Sequence, residues 1–233
     1  MTTPHRRAAD VAKVIAIVGS KGGSGKSTAA HLIAHGCGSL PRPVMTVLLT
    51  TDPEERPRAD RRRYVIEDAR TKAGLFGQMK RLLGVERLLI VVDGAAARPE
   101  LDALVAEVAD LAVLPFRPAA HDVERARDNL LRLPEAVALP MDWPRHPGTI
   151  KRARRWLADI PEDRRLPPFP HLPKLDSFMG EGEDGYMAAA YDVATAARGL
   201  AVEVLARAGI DPADLSEAGA VARIPSLPGR VNA

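Results

Sequence analysis

Cysteine is almost absent from this chain: of its 233 residues only Cys37 carries a thiol. A single cysteine excludes an internal disulfide, the bond typical of oxidising compartments. It also excludes an iron–sulfur cluster held by this chain alone, because such a cluster needs several thiolates. Cys37 lies between two glycines, where we expect a small buried or turn residue rather than a nucleophile. The single cysteine therefore fits a protein of the reducing cytosol.

Long apolar runs are also missing. No stretch approaches the roughly 20 apolar residues that a membrane-spanning helix needs. Basic residues at 5–7 precede an apolar stretch, but Lys13 interrupts it, and a first strand explains it better than a signal peptide does. Aromatic residues make up only 4% of the chain. These absences predict a cytoplasmic protein that makes no contact with a membrane.

Net charge is small, +3 at pH 7, but its sign changes along the chain. Residues 145–175 hold eight Lys or Arg and three Asp or Glu, a net charge of +5. Residues 176–233 hold four Arg and nine Asp or Glu, a net charge of −5. This uneven distribution is more informative than the total net charge, and it marks residues 145–175 as a basic segment.

The most informative segment is KGGSGKST at 21–28, directly after the apolar run 14–18. That β-branched run predicts a buried strand, and the glycine-rich turn leads into a helix beginning near Ser27. Glycines let backbone N–H groups converge on phosphate oxygens, and the helix N-terminus adds a favourable dipole. Lys26 can neutralise β- and γ-phosphates, and the Ser27 hydroxyl can ligate Mg²⁺. The predicted phosphate-binding residues are Gly22, Gly23, Ser24, Gly25, Lys26, Ser27 and Thr28.

Strand-like and helix-like segments alternate along the rest of the chain. We predict strands at 12–18, 44–50, 64–67, 88–92, 111–114 and 137–139, and helices at 26–35, 75–83, 99–108, 123–133 and 149–159. Gly36 and Gly38 are expected to end the first helix. The alternation predicts an α/β fold with a doubly wound, mostly parallel sheet flanked by helices. Its ligand is expected at the carboxyl ends of the strands.

The length suits one domain with a substantial core. We assign 1–10 to a disordered lead, 11–210 to a single nucleotide-binding domain, and 211–233 to a C-terminal tail. Two smaller features have simple explanations. Asp122 is expected to cap a helix beginning beside His121. Five arginines follow Asp52: Arg56, Arg58, Arg61, Arg62 and Arg63. Sensing of a partner or a phosphate is one interpretation of this cluster, and a solvated loop, which the acidic residues among them favour, is the other.

The octapeptide resembles the deviant phosphate loop of the ParA/MinD superfamily of P-loop ATPases, and most closely that of its ParA-like partition members. Two further segments are similar to the same family. VLLTTDP at 47–53 resembles its second strand and first switch loop, and LIVVDG at 89–94 resembles its Walker B strand. A weaker likeness, through ADLAVLPFRP at 109–118, extends the resemblance over about 11–205.

The resemblance implies ATP and Mg²⁺ as cofactors, and it implies roles for individual residues. Lys21, the additional lysine, would cross a nucleotide-sandwiched homodimer to touch the partner's ATP, where two facing triphosphates need extra cations. Lys26 would hold phosphates, and Asp52 would position the attacking water. Asp93 would hold Mg²⁺ together with Ser27. Gly94 would follow the γ-phosphate.

A basic helix offers a surface for a second ligand. Within 149–159, apolar residues recur at helical spacing, and Lys151, Arg154 and Arg155 share the opposite face. Arg152, Arg164 and Arg165 lie nearby in sequence. Arrayed cations can hold DNA phosphates without reading sequence, and ATP-dependent dimerisation would double the patch. A solvated helix face, with acidic residues close by, is the alternative.

The leading hypothesis is a ParA-like ATPase that partitions or positions DNA or another large cargo, with slow, partner-stimulated hydrolysis. The resemblance implies an adaptor or centromere-binding partner, and DNA contact would place the protein on the nucleoid. A MinD-like membrane-positioning ATPase is one alternative, although the proline-containing end of the chain predicts no amphipathic anchor. A metabolic ligase or kinase with the same fold is another, which Lys21 disfavours. A binding-only switch is the last, suggested by Thr50 in place of an aspartate and by the alanines 95–97 in place of a proline pair.

Overall fold

The computed structural model of this chain describes residues 12–51, 63–94, 98–179 and 190–215. Several sequence-based predictions lie outside the described residues. These are the disordered lead at 1–10, Asp52 with the arginines up to Arg62, the alanines 95–97, and the tail from 216 onward. Arg63 is described and is exposed.

Six strands form one parallel sheet in the order β3-β2-β4-β1-β5-β6. The strands are β1 (Lys13–Ile17), β2 (Met45–Thr50), β3 (Val65–Asp68), β4 (Leu88–Asp93), β5 (Leu111–Phe116) and β6 (Ala136–Pro140). Every predicted strand is present, and the predicted α/β fold class is confirmed. Because β1 lies between β4 and β5, the segment that follows β1 leaves from the middle of the sheet.

Helices cover both faces of the sheet. They are α1 (Lys26–Cys37), α2 (Lys72–Leu82), α3 (Pro99–Val108), α4 (Ala120–Arg132), α5 (Pro147–Leu157), α6 (Leu175–Met179), α7 (Tyr191–Arg207) and α8 (Pro212–Leu215), with a 3₁₀ turn at Glu162–Arg164. Among the described residues, no helix is long and apolar enough to span a membrane.

Alternating side chains of β1 face two separate hydrophobic cores. Ile15 and Ile17 belong to the core that packs against α1 and α7. Val14 and Ala16 belong to the core that packs against α2, α3 and α4. Burial on both faces explains why this strand is an unbroken apolar run. Leu215 of α8 is also buried in the first core, and the domain boundary at residue 210 stays a prediction.

One prediction about the first helix was wrong. Gly36 does not end α1, which continues through Cys37 to a C-cap at Gly38. A Cβ on Gly36 would overlap the carbonyl oxygen of Ala197 and would lie 2.8 Å from the Cβ of Ala201. Gly36 therefore allows α7 to approach α1 closely, a contact between distant segments that local sequence does not reveal. Cys37, as predicted, is fully buried.

Candidate functional site

The carboxyl ends of three neighbouring strands meet at one edge of the sheet. Strand pairing places Asp93, at the end of β4, beside Ile17 of β1 and Thr50 of β2. The next residue, Thr51, donates both its backbone N–H and its hydroxyl to the Asp93 carbonyl, at 3.1 and 2.5 Å. The glycine-rich loop leaves β1 at this edge, which is where ligands bind in open α/β sheets.

The loop from Gly19 to Gly25 has the backbone conformation that its glycines allow. Gly19, Gly23 and Gly25 adopt φ values of 148°, 73° and 95°, which side chains rarely tolerate. Gly25 is the N-cap of α1, and among the described residues no side chain caps this helix. The first-turn N–H groups of α1 therefore face the loop without a competing side-chain acceptor. Such an N-terminus is suited to phosphate oxygens.

Two polar side chains, one in the loop and one at the start of α1, are buried. Lys26 is 6% exposed, and its ammonium donates to the carbonyl oxygen of Lys21 at 2.8 Å. The Ser24 hydroxyl is also buried and has no hydrogen-bond partner within the described part of the chain. A buried hydroxyl without a partner is costly unless it meets another polar group. The loop thus offers both a buried cation and an unpaired hydroxyl to an anionic ligand.

Asp93 and Ser27 supply the oxygen ligands that Mg²⁺ prefers. Asp93 is completely buried at the end of β4, and Ser27 is half-buried in the first turn of α1. One carboxylate plus one hydroxyl leaves positions for phosphate oxygens and water, the usual arrangement for protein-bound Mg²⁺. The residues present therefore fit this ion.

Gly94 packs tightly against the start of the loop. Its backbone N–H donates to the carbonyl oxygen of Ile17 at 2.8 Å. A Cβ here would overlap that oxygen and would lie 2.6 Å from Oδ1 of Asp102, so only glycine fits. Contact of Gly94 with a γ-phosphate stays a prediction, and here its N–H is already bonded to β1.

Asp102 of α3 is a site residue that the sequence analysis missed. Its Oδ2 accepts the backbone N–H of Gly19 at 2.8 Å, and its buried Oδ1 has no hydrogen-bond partner within the described ranges. Burial raises the pKa of the Asp102 carboxyl to about 6, against the opposing effects of the Gly19 hydrogen bond and the Lys26 charge. One feature of the sequence could have indicated Asp102: it is an acidic residue in an otherwise apolar stripe, next to Leu101, which is buried.

Lys21 is paired within its own chain. Its ammonium lies 2.6 Å from Oδ1 of Asp122 on α4 and 3.3 Å from Nε2 of His121. The predicted capping role of Asp122 was wrong, because α4 begins at Ala120 and its N-cap is Ala119. Asp122 lies instead in the first turn of α4 and faces the loop. The sequence could not reveal this pairing, since the two residues are 101 positions apart.

The predicted cations of α5 are on the surface. Lys151, Arg152, Arg154 and Arg155 are all exposed, while Ala153 and Leu157 are buried on the other face. Arg164 and Arg165 do not join them. The Arg164 guanidinium donates to the carbonyl oxygen of Leu130 in the last turn of α4 and to those of Leu133 and Ala136 after it. The Arg165 guanidinium donates to the Leu157 carbonyl at 2.7 Å. Of the six predicted cations, the four on α5 are therefore the exposed ones, and Arg164 and Arg165 are half-buried.

Comparison by sequence gives no relative: no protein-family profile and no curated protein matches this chain. Comparison by structure gives many. A candidate plasmid partition protein from Borrelia burgdorferi, bound to AMPPNP, has a TM-score of 0.62 at 13% identity, over 84% of this chain and 99% of its own. The cell division protein MinD from Aquifex aeolicus has a TM-score of 0.62 at 16% identity, over 83% of this chain and 97% of its own.

A third structural neighbour is a synthase, and not a partition or cell division protein. Cobyrinic acid a,c-diamide synthase from Mycobacterium smegmatis, bound to an ATP analogue and magnesium, has a TM-score of 0.56 at 15% identity. The match covers 84% of this chain and 95% of the synthase. At these identities the comparisons establish the fold. This chain has the P-loop α/β fold of the ParA/MinD-type ATPases, as its deviant loop predicted.

Proposed function

We propose that this chain is a ParA-like ATPase that binds Mg²⁺-ATP, forms a nucleotide-sandwiched homodimer and holds DNA nonspecifically on α5. It would drive partition or positioning of DNA or another large cargo. The observation that carries the proposal is the loop from Gly19 to Gly25, which delivers Lys26 and the N-terminus of α1 to the carboxyl edge of a parallel sheet. No side chain of the described residues caps that N-terminus. Lys21 at the head of this loop is the feature that favours ParA/MinD-type chemistry.

Each residue has a role that follows from the demands of phosphoryl transfer, in which positioning and charge neutralisation dominate. The loop backbone and Lys26 bind phosphates, and Thr28 donates to the α-phosphate. Ser27 and Asp93 would hold Mg²⁺, which would neutralise phosphate charge. Asp52, outside the described residues, orients the attacking water. Hydrolysis is expected to be slow until an adaptor or centromere-binding partner acts.

Nucleotide binding is tested with Lys26→Ala. Because this change removes a charge-assisted hydrogen bond to phosphate, we expect the Kd for a fluorescent ATP analogue to rise roughly 100-fold. Lys80→Ala, which removes an exposed lysine of α2, is the matched control and should bind like the wild type. Phosphate release measured with and without Mg²⁺ then separates an ATPase from a binding-only switch. Unchanged affinity in Lys26→Ala would reject the phosphate site.

DNA binding is tested by replacing Arg152, Arg154 and Arg155 with Ala. We expect weaker binding to any DNA sequence, and a dependence on salt whose logarithmic slope falls by about 0.9 for each DNA phosphate that is no longer neutralised. The control replaces three exposed cations of α2: Lys72, Lys80 and Arg81. It removes the same charge from a different surface. An equal weakening in both triple variants would indicate a general charge effect and not a surface on α5.

Two alternatives are separated by simple measurements. A MinD-like role requires co-sedimentation with liposomes that depends on ATP. A metabolic ligase or kinase requires turnover that depends on a small-molecule substrate and not on DNA.

The dimer is tested by light scattering with a nonhydrolysable ATP analogue. Lys21→Ala should bind nucleotide but stay monomeric.

A further inference from the structure

Helix α4 is attached to the glycine-rich loop at two places. Near its start, Asp122 and His121 contact the ammonium of Lys21. Two turns later, the side-chain amide of Asn129 donates to the Ser20 hydroxyl at 3.3 Å. Consecutive residues of the loop, Ser20 and Lys21, are thus held by one face of one helix.

The Lys21–Asp122 pair is partly shielded from water. The side chain of Asp122 is 9% exposed and that of Lys21 is 35% exposed. A carboxylate this buried is costly without a cationic partner, whereas an exposed ion pair contributes little. Nε2 of His121 lies 3.2 Å from the same carboxylate oxygen. Opening the pair would therefore leave a shielded anion without its ammonium.

The two lysines of the loop are also connected. The ammonium of Lys26 donates to the backbone carbonyl of Lys21, so a ligand that engages Lys26 acts on the residue whose side chain reaches α4. The ammonium of Lys21 can contact either Asp122 or a partner's nucleotide, but not both at once. In this structure it lies 2.6 Å from Asp122, a contact within its own subunit.

We propose that Asp122 is a positioning residue that retains the Lys21 ammonium within its own subunit, so that the Lys21–Asp122 pair must open before Lys21 can bridge to a partner's nucleotide. This inference rests on the proposed sandwich dimer and adds its regulation. Asp122 opposes dimerisation, and binding of ATP and of a second subunit together supply the free energy that separates the pair.

The test is the ATP-dependent dimer of Asp122→Asn, measured by analytical ultracentrifugation with a nonhydrolysable analogue. Asparagine has nearly the same size and no charge. We expect the dimer Kd to fall about tenfold, the effect of removing one charge-assisted hydrogen bond from the monomer. Asp128→Asn, at an exposed position of the same helix, makes the same change in net charge and should leave the Kd unchanged. Circular dichroism checks that both variants fold, and Asp122→Ala provides a second variant.

A second measurement reports the pair directly. In the protein without nucleotide, reductive methylation of Lys21 followed by mass spectrometry should be several-fold faster in Asp122→Asn than in the wild type. Methylation of the exposed Lys151 serves as the internal reference. A tighter dimer together with faster methylation of Lys21 supports the proposal.

The remaining outcomes each overturn something specific. A tighter dimer without faster methylation of Lys21 rejects the pair as the cause. An equal tightening in Asp128→Asn indicates a general charge effect and also rejects it. An unchanged or weaker dimer in both folded Asp122 variants, while the wild type dimerises, rejects the positioning role alone. If no protein dimerises with the analogue, the sandwich dimer of the proposed function is refuted, and its regulation falls with it.

Discussion

Replacing the buried carboxylate of α3, Asp102→Asn, should make the protein more stable at neutral pH. In the wild type, burial raises the pKa of Asp102 from 3.8 to about 6. At about 1.4 kcal/mol per pH unit, ionisation of Asp102 therefore costs the native state up to about 3 kcal/mol. Asparagine avoids this cost, and its side-chain carbonyl can still accept the Gly19 N–H.

The direction in which the stability changes with pH follows from the linkage between protonation and folding. Because the native state binds the proton of Asp102 more tightly than the unfolded chain does, its contribution to stability is complete below about pH 4. That contribution is lost as the pH rises through about 6. Asp102→Asn has no carboxyl group at this position and therefore shows no such loss of stability. Its advantage over the wild type should therefore be small at pH 4 and approach about 3 kcal/mol at pH 8.

The assay is urea unfolding of both proteins between pH 4 and pH 8, followed by circular dichroism. Glu107→Gln, an exposed acidic position of the same helix, is the matched control and should show no growing advantage. The reasoning about Asp102 is refuted if the difference between Asp102→Asn and wild type is constant over this range. It is equally refuted if the wild type gains on the variant as the pH rises.

Three further predictions concern stability and reactivity. Gly36→Ala should lower the free energy of unfolding by about 3 kcal/mol because the new methyl group meets the Ala197 carbonyl. Gly199 of α7 has open space around it, and Gly199→Ala should instead raise the free energy of unfolding by about 0.5–1 kcal/mol. Equal effects of Gly36→Ala and Gly199→Ala in urea titrations would contradict this. Cys37, whose pKa burial raises to about 12, should react with a thiol reagent only after unfolding, and prompt reaction of the native protein would disprove this. Thr71→Ala should cost about 1 kcal/mol in thermal melts by removing the N-cap of α2, and an unchanged melting temperature would contradict it.

The glycine pattern and the apolar periodicity were sufficient to predict the class of fold and the position of the loop. Local conformation is fixed by local residues: positive φ at Gly23 and Gly25 requires glycine, and a β-branched run buried on both faces belongs to a parallel strand. For the same reason the predicted strands match the observed ones to within a few residues. The exposure of the cations on α5 follows from helical spacing alone.

The partners of charged groups could not be predicted in this way. Asp122 was expected to cap a helix, and Asp102 was not singled out, because each meets the loop only when α4 packs beside β5 and α3 packs beside β1. Gly36 was interpreted as the end of a helix, although its lack of a side chain serves the approach of α7.

The sequence by itself determined which elements form and where a phosphate-binding loop leaves the sheet, since both depend on neighbours within a few residues. Only the tertiary structure decided what Lys21 contacts, because a pairing across 101 positions depends on how strands are ordered in the sheet. Electrostatic energy depends on distance and burial, and both arise when the chain is folded.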